Sequence, residues 1–159
     1  MLQRIQTLFL LIAITAISLS FVFPIAKIQT GDEVTALYTN YGLKSIDGPG
    51  KSHIMESGFI FIVAAGALIT LLIALSQFKK RKLQITFCRF TYAIILIQIV
   101  LSIFQPNSAA QTIKFAGEIK VAGYDLGFYM PIIALFFTFL AENFIRRDEK
   151  LVKSADRLR

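Results

Sequence analysis

Cysteine is almost missing. Cys88 is the single one, so neither a disulfide within the chain nor a paired-thiol redox centre can form. A four-helix oxidoreductase that couples thiols to a quinone needs paired cysteines at the outer surface. That class is excluded, and Cys88 reads as a small buried apolar residue. Histidine is as scarce: His53 stands alone in "GKSHIMESG", near Met55 and Glu56. A haem or transition-metal site needs several ligands, so no metal or other cofactor is expected. The stretch reads instead as a polar lead-in to a helix, with Glu56 or Ser57 near its start. Tryptophan is absent, so Tyr and Phe must supply any aromatic anchoring at a membrane surface.

Charge is thin and unevenly placed. Of the 159 residues 55% are hydrophobic and only 17% charged, against about 45–50% apolar in an ordinary soluble domain. Four apolar runs approach the roughly 20 residues a spanning helix needs: residues 5–25, 58–78, 83–104 and 128–145. None has Asp, Glu, Lys or Arg near its middle, as a proton-coupled carrier would require. The first run follows a basic residue, Arg4, but exceeds the usual core of a signal peptide. It reads as an uncleaved first span.

Lys and Arg decide the orientation. Twelve lie on one side: Arg4, the loop "KKRK" (Lys79, Lys80, Arg81, Lys82), Arg89, and six from Arg146 to Arg159. Five lie on the other: Lys27, Lys44, Lys51, Lys114 and Lys120. Both termini are therefore predicted to be cytoplasmic. The outer loops, 26–57 and 105–127, carry strand-like alternation in "EVTALYTNYGL" and "TIKFAGEIKVAGYDL", bracketed by turn signals in "TGDE", "DGPG" and "QPNS". The expected fold is an all-α membrane protein. It is a single domain, a four-transmembrane-helix bundle with a small extracytoplasmic β-sheet: two strands from the first loop and one or two from the second.

The opening "MLQRIQTLFLL" and the closing "DEKLVKSADRLR", with four apolar runs between them, resemble a family of uncharacterised four-span inner-membrane proteins of Bacteroidetes, catalogued as a domain of unknown function. The resemblance covers nearly the whole chain and implies a bacterial inner-membrane protein. It implies no activity. Lys153 stands where Arg is more usual in that tail.

Several side chains invite a structural role. Arg89, about 9 Å into the third span at ~1.5 Å per residue, and Glu142, near the end of the fourth, match in depth and are predicted to form an ion pair. Gln98 lies deep in the third span, where its amide needs a helix-borne partner. Gly66, Thr70 and Ala74 in the second span, and Ala16 and Ser20 in the first, have the spacing that lets helices approach closely. The basic loop faces a leaflet rich in anionic headgroups. The same charges would attract a ribosome, but no interleaved aromatics favour base contacts, and DNA is not an expected partner.

The tail, residues 146–159, is predicted to continue the last helix. Leu151, Val152, Ala155 and Leu158 form an apolar stripe that would dock on the leaflet or on another membrane protein. The expected function is that of a non-enzymatic accessory or assembly subunit of a larger membrane complex. A small-molecule or lipid transporter is the alternative. An enzyme would need Asp47, His53, Glu56, Glu118 and Asp125 to converge.

Overall fold

The computed structural model describes residues 2–30, 33–45, 53–56, 58–78, 80–112 and 119–156. Four helices form the body: α1 (Leu2–Ser20), α2 (Gly58–Ser76), α3 (Arg81–Thr112) and α4 (Leu126–Asp156). Helix α1 packs on α2 and α4, and α3 on α2 and α4, so the chain runs up and down a closed square. One end of the square carries a sheet; the other carries the basic loop and the tail.

Three helices are long and apolar enough to cross a membrane, the mark of a membrane protein: Phe59–Ser76, Arg81–Ala110 and Leu126–Leu151. The first is shorter, its apolar part running Ile5–Ser20. The expected span to residue 25 is cut at Ser20, because Pro24 disfavours helical backbone at the residue before it. The chain tightens instead, with Phe21 N–H donating to Ser18 O at 3.2 Å.

The sheet has five strands, β1 (Ala26–Thr30), β2 (Glu33–Thr39), β3 (Gly42–Ser45), β4 (His53–Glu56) and β5 (Ile119–Tyr124), in the order β4-β3-β2-β1-β5. Every described pairing is antiparallel. The first outer loop thus contributes four strands rather than two. "EVTALYTNYGL" folds back on itself at Asn40–Tyr41, where Gly42 takes φ 124°, a conformation costly for any residue with a Cβ. His53–Glu56, expected as a lead-in to a helix, pairs along β3 as an edge strand. The "DGPG" turn lies outside the described residues.

The second outer loop differs more. Helix α3 does not stop at Phe104 but continues through Pro106 to Thr112. A proline there removes one backbone donor, and the turn signals in "QPNS" point the same way. Tertiary contacts win. Ala109 and Ala110 are buried beneath the sheet, against Ile28, Ala36 and Tyr38. Tyr38 Oη donates to Gln105 Oε1 at 2.9 Å. Asn107 and Ser108, read as turn formers, donate instead to the carbonyls of Ile103 and Phe104, at 2.7 and 3.1 Å.

Two cores result, held by different forces. Beneath the sheet, alternate residues Ala26, Ile28, Ala36, Tyr38 and Leu43 are buried on Ile60 and the end of α3. Outside lipid, burying each large apolar side chain contributes about 1.5–3 kcal/mol. Within the bundle, Leu10, Ala13, Ile17, Leu71, Ala74, Ile95, Ala134 and Ile145 interlock. There lipid is as apolar as leucine, so close packing and interhelical hydrogen bonds carry the association.

Small residues serve that packing, but not at Gly66. A Cβ built there meets nothing within 4 Å, so Gly66 is not a point of close approach, contrary to its spacing. Ala64, Ala67 and Ala74 are the small buried positions of α2, and Ala16 and Ser20 are buried on α1.

Candidate functional site

Polar side chains gather at the two ends of the bundle. At the sheet end they are joints. Asn40, at the hairpin tip, is fully buried and donates through Nδ2 to the carbonyl of Ser20, the last residue of α1. That carbonyl has no helical donor of its own. Lys27 Nζ lies 3.0 Å from Asp125 Oδ2, tying β1 to the start of α4. Asp125 Oδ1 accepts from Leu126 N–H at 2.8 Å. These two contacts, the backbone donor first, hold the Asp125 carboxyl below its usual titration range. Beside it Gly127 N–H donates to Pro24 O at 2.9 Å. A Cβ on Gly127 would stand 2.5 Å from Phe23 O and 2.6 Å from Pro24 O, so only glycine fits there.

Mid-bundle, Thr91 Oγ1 donates to Thr70 Oγ1 at 3.0 Å, joining α3 to α2. Gln98 is buried as its depth suggests, but its Oε1 has no partner among the described residues.

At the opposite end the α3–α4 cleft holds a ladder of polar contacts. Arg89 Nε lies 3.3 Å from Glu142 Oε1, so the structure brings the two predicted partners together. A second cation joins them. Arg146, one turn along α4, donates through Nε to the same oxygen at 2.7 Å, and through Nη2 as well. The Glu142 side chain is 5% exposed, whereas those of Arg89 and Arg146 are 59% and 46% exposed. The carboxylate is thus the buried floor and the guanidinium groups are its half-exposed walls. One turn deeper, Tyr92 Oη donates to Thr138 O at 3.2 Å. Nearer the end, Arg81 Nη2 sits 3.0 Å from Asp148 Oδ2. Gln6 Nε2 donates to Phe144 O at 3.1 Å, securing α1 to the same stretch of α4. Cys88 is fully buried in the bundle core.

Of the basic loop, Lys80 and Lys82 are exposed, Arg81 is committed to Asp148, and Lys79 lies outside the described residues. The tail remains helical to Asp156. Leu151 is 57% exposed; Val152 and Ala155 lie on the same helix, and Leu158 is outside the described residues. The five outer residues an enzyme would need are not seen together. Asp47 and Glu118 lie outside the described residues, and Asp125 is engaged by Lys27. Among the described residues no three His, Cys, Asp or Glu form a metal-binding group.

Sequence reasoning missed Arg146, Tyr92, Asn40 and Gly127. For Arg146 the signal was present: it stands four residues after Glu142, the spacing of an intrahelical ion pair. Asn40 in "TNYG" carried a turn signal but none for its target.

No curated protein matches the chain. It matches a family described as a domain of unknown function (DUF4293) over residues 2–158, nearly its full length, and the chain belongs to that family.

Proposed function

We propose that the protein is a non-enzymatic accessory or assembly subunit of a larger complex in a bacterial inner membrane, crossing it four times with both termini in the cytoplasm. One observation carries the reading. Helix α4 runs on past its last described tie to α3, the Arg81–Asp148 contact, for about 12 Å from Asp148 to Asp156 at ~1.5 Å per residue, with Leu151 exposed on it. A helix projecting from the bundle with an apolar residue outward is suited to lie on a second protein at the membrane surface.

The four-span reading draws support from the company α1 keeps. Gln6 meets Phe144 of α4, and Phe23–Pro24, just past the end of α1, meets Gly127 near the start of α4. The chain from Gln6 to Pro24 therefore covers the same depth as the stretch 127–144 of its neighbour, about 26 Å at ~1.5 Å per residue, close to the hydrocarbon thickness of ~30 Å. A transporter would need a polar path through the bundle. The Leu10, Ile17, Leu71, Ile95 and Ile145 packing counts against one.

The test is purification of the tagged protein in a mild detergent, from its own membranes, with mass spectrometry of what accompanies it. A stoichiometric membrane protein that is lost on truncation after Arg147, and on combined Leu151→Ala and Leu158→Ala, supports the reading. Companions that persist through both changes contradict the role given to the tail.

A further inference from the structure

The cleft between α3 and α4 is open to the outside of the bundle beside the Glu142 ladder. Lys82, Ile85, Thr86, Arg89, Arg146 and Lys150, with Glu149, line a groove of about 350 Å³ there. Four cations face two carboxylates, Glu142 and Glu149, so the groove carries a surplus of positive charge. Arg89 gives only its Nε to Glu142, which leaves its paired Nη groups available to an anion. Lys82 and Lys150 are exposed and enter no ion pair among the described residues. Buried Glu142 braces the two arginines in place. A braced guanidinium pair flanked by ammonium groups is the donor set that phosphate oxygens accept well.

Deeper along the same cleft the character reverses. One turn from Arg89 begins a second groove, of about 540 Å³, lined by Tyr92, Leu96, Ile132, Leu135, Phe136 and Phe139 and almost wholly apolar. Its α4 residues recur at helical spacing from Arg146, so both grooves share one face of the α3–α4 pair. From Arg146 back to Ile132 the helix rises about 21 Å at ~1.5 Å per residue, somewhat more than one leaflet's share of a ~30 Å hydrocarbon core. A cationic head pocket followed along the same helix face by an apolar groove, the two together of leaflet depth, has the two-part chemistry of a phospholipid.

We infer that the α3–α4 cleft is a binding site for one anionic glycerophospholipid. Lys82, Arg89, Arg146 and Lys150 take the phosphate, and the apolar groove beyond Tyr92 takes an acyl chain. A free phosphate would satisfy the first half but would leave the second without purpose, so the lipid is the occupant the two grooves fit together. The site goes beyond the subunit reading and does not depend on it, because it is complete within one chain.

The experiment uses the full-length protein, delipidated in a neutral detergent and titrated with dioleoyl phosphatidylglycerol or dioleoyl phosphatidylcholine. Bound lipid is counted by native mass spectrometry. One phosphatidylglycerol should be retained in preference to phosphatidylcholine. Lys82→Gln with Lys150→Gln removes two cations that take no part in the helix clamp. It should weaken that retention by about thirtyfold while leaving thermal unfolding of the lipid-free protein unchanged. Leu96→Gln should weaken it too, through the apolar groove. Equal retention of both lipids, or retention indifferent to the lysine pair, would overturn the site. Displacement of the lipid by millimolar inorganic phosphate would also overturn it, since it would reassign the groove to a free anion. None of these outcomes bears on whether a partner protein accompanies the chain, so the two readings fail separately.

Discussion

Arg89 and Glu142 meet across the α3–α4 interface at 3.3 Å, but they do not share their burial: the carboxylate side chain is 5% exposed and the guanidinium 59%. That asymmetry sets which member of the pair is costly to remove. Without Glu142, both half-exposed arginines can extend toward the membrane surface, so Glu142→Gln should cost only about 1 kcal/mol. Without Arg89 and Arg146, a carboxylate is stranded in the cleft, and uncompensated buried charge costs about 3–5 kcal/mol. The double change Arg89→Ala with Arg146→Ala should therefore lower thermal stability in detergent well beyond Glu142→Gln. Glu149→Ala, by contrast, strands no buried charge and should cost less than the double arginine change. Equal losses from the double arginine change and from Glu142→Gln would show that the carboxylate is solvated after all.

At Gly127, helix α4 begins against the backbone that leads from α1 into β1. Gly127→Ala sets a methyl group against the carbonyl oxygens of Phe23 and Pro24. Backbone on both sides must move, and overpacking of this kind costs about 1–3 kcal/mol. Gly66 and Gly123 serve as internal controls, because nothing lies within 4 Å of a Cβ at either. Gly66→Ala, inside α2, should even stabilise, by about 1 kcal/mol from helix propensity. The check is the unfolding temperature of the three variants measured side by side. A Gly127→Ala protein as stable as Gly123→Ala would mean the junction is not close-packed.

Acid should act at the same junction. Leu126 N–H and Lys27 hold the Asp125 carboxyl below its ordinary range. The unfolded carboxyl titrates at about 3.9, so the stabilisation is fully present above that pH. It is lost as pH falls through the lower folded value. Amide protection at the start of α4 and in β1, taken relative to the intrinsic exchange rate at each pH, should fall below about pH 4. In Asp125→Asn that acid-dependent loss should be absent, with protection lower than wild type already at neutral pH. An unchanged acid response in the variant would assign the effect to other carboxylates.

Legibility in the sequence tracked the range of each interaction. The bundle was legible because spans are recognised one at a time, from composition. The Arg89–Glu142 contact was legible because lipid depth is a coordinate that sequence position supplies: two ionisable groups at equal depth have few other partners. Asn40 on Ser20, Gly127 against Pro24 and the helical course of Pro106 were not. Each depends on where the sheet sits on the bundle, and no local pattern encodes that placement. Gly66 shows the reverse error. Its spacing has the look of a helix contact, yet the packed face of α2 passes through Ala64, Ala67 and Leu71 instead.

The proposed orientation rests on the sequence: twelve basic residues fall on one side of the apolar runs and five on the other. Such a bias holds the shorter, more basic loops on the side of synthesis. The chain lends itself to thiol labelling because its single natural cysteine, Cys88, is fully buried and contributes no background. Val34→Cys lies on β2, where Val34 is 39% exposed at the sheet end. Lys80→Cys lies in the exposed connection between α2 and α3. With cells whose outer membrane has been permeabilised, a membrane-impermeant maleimide should label position 34. It should leave position 80 unlabelled until the inner membrane is broken. Labelling of position 80 before lysis, with position 34 protected, would invert the topology. It would also place the anionic-lipid cleft in the outer leaflet of the membrane, where the positive charge around it would need another explanation.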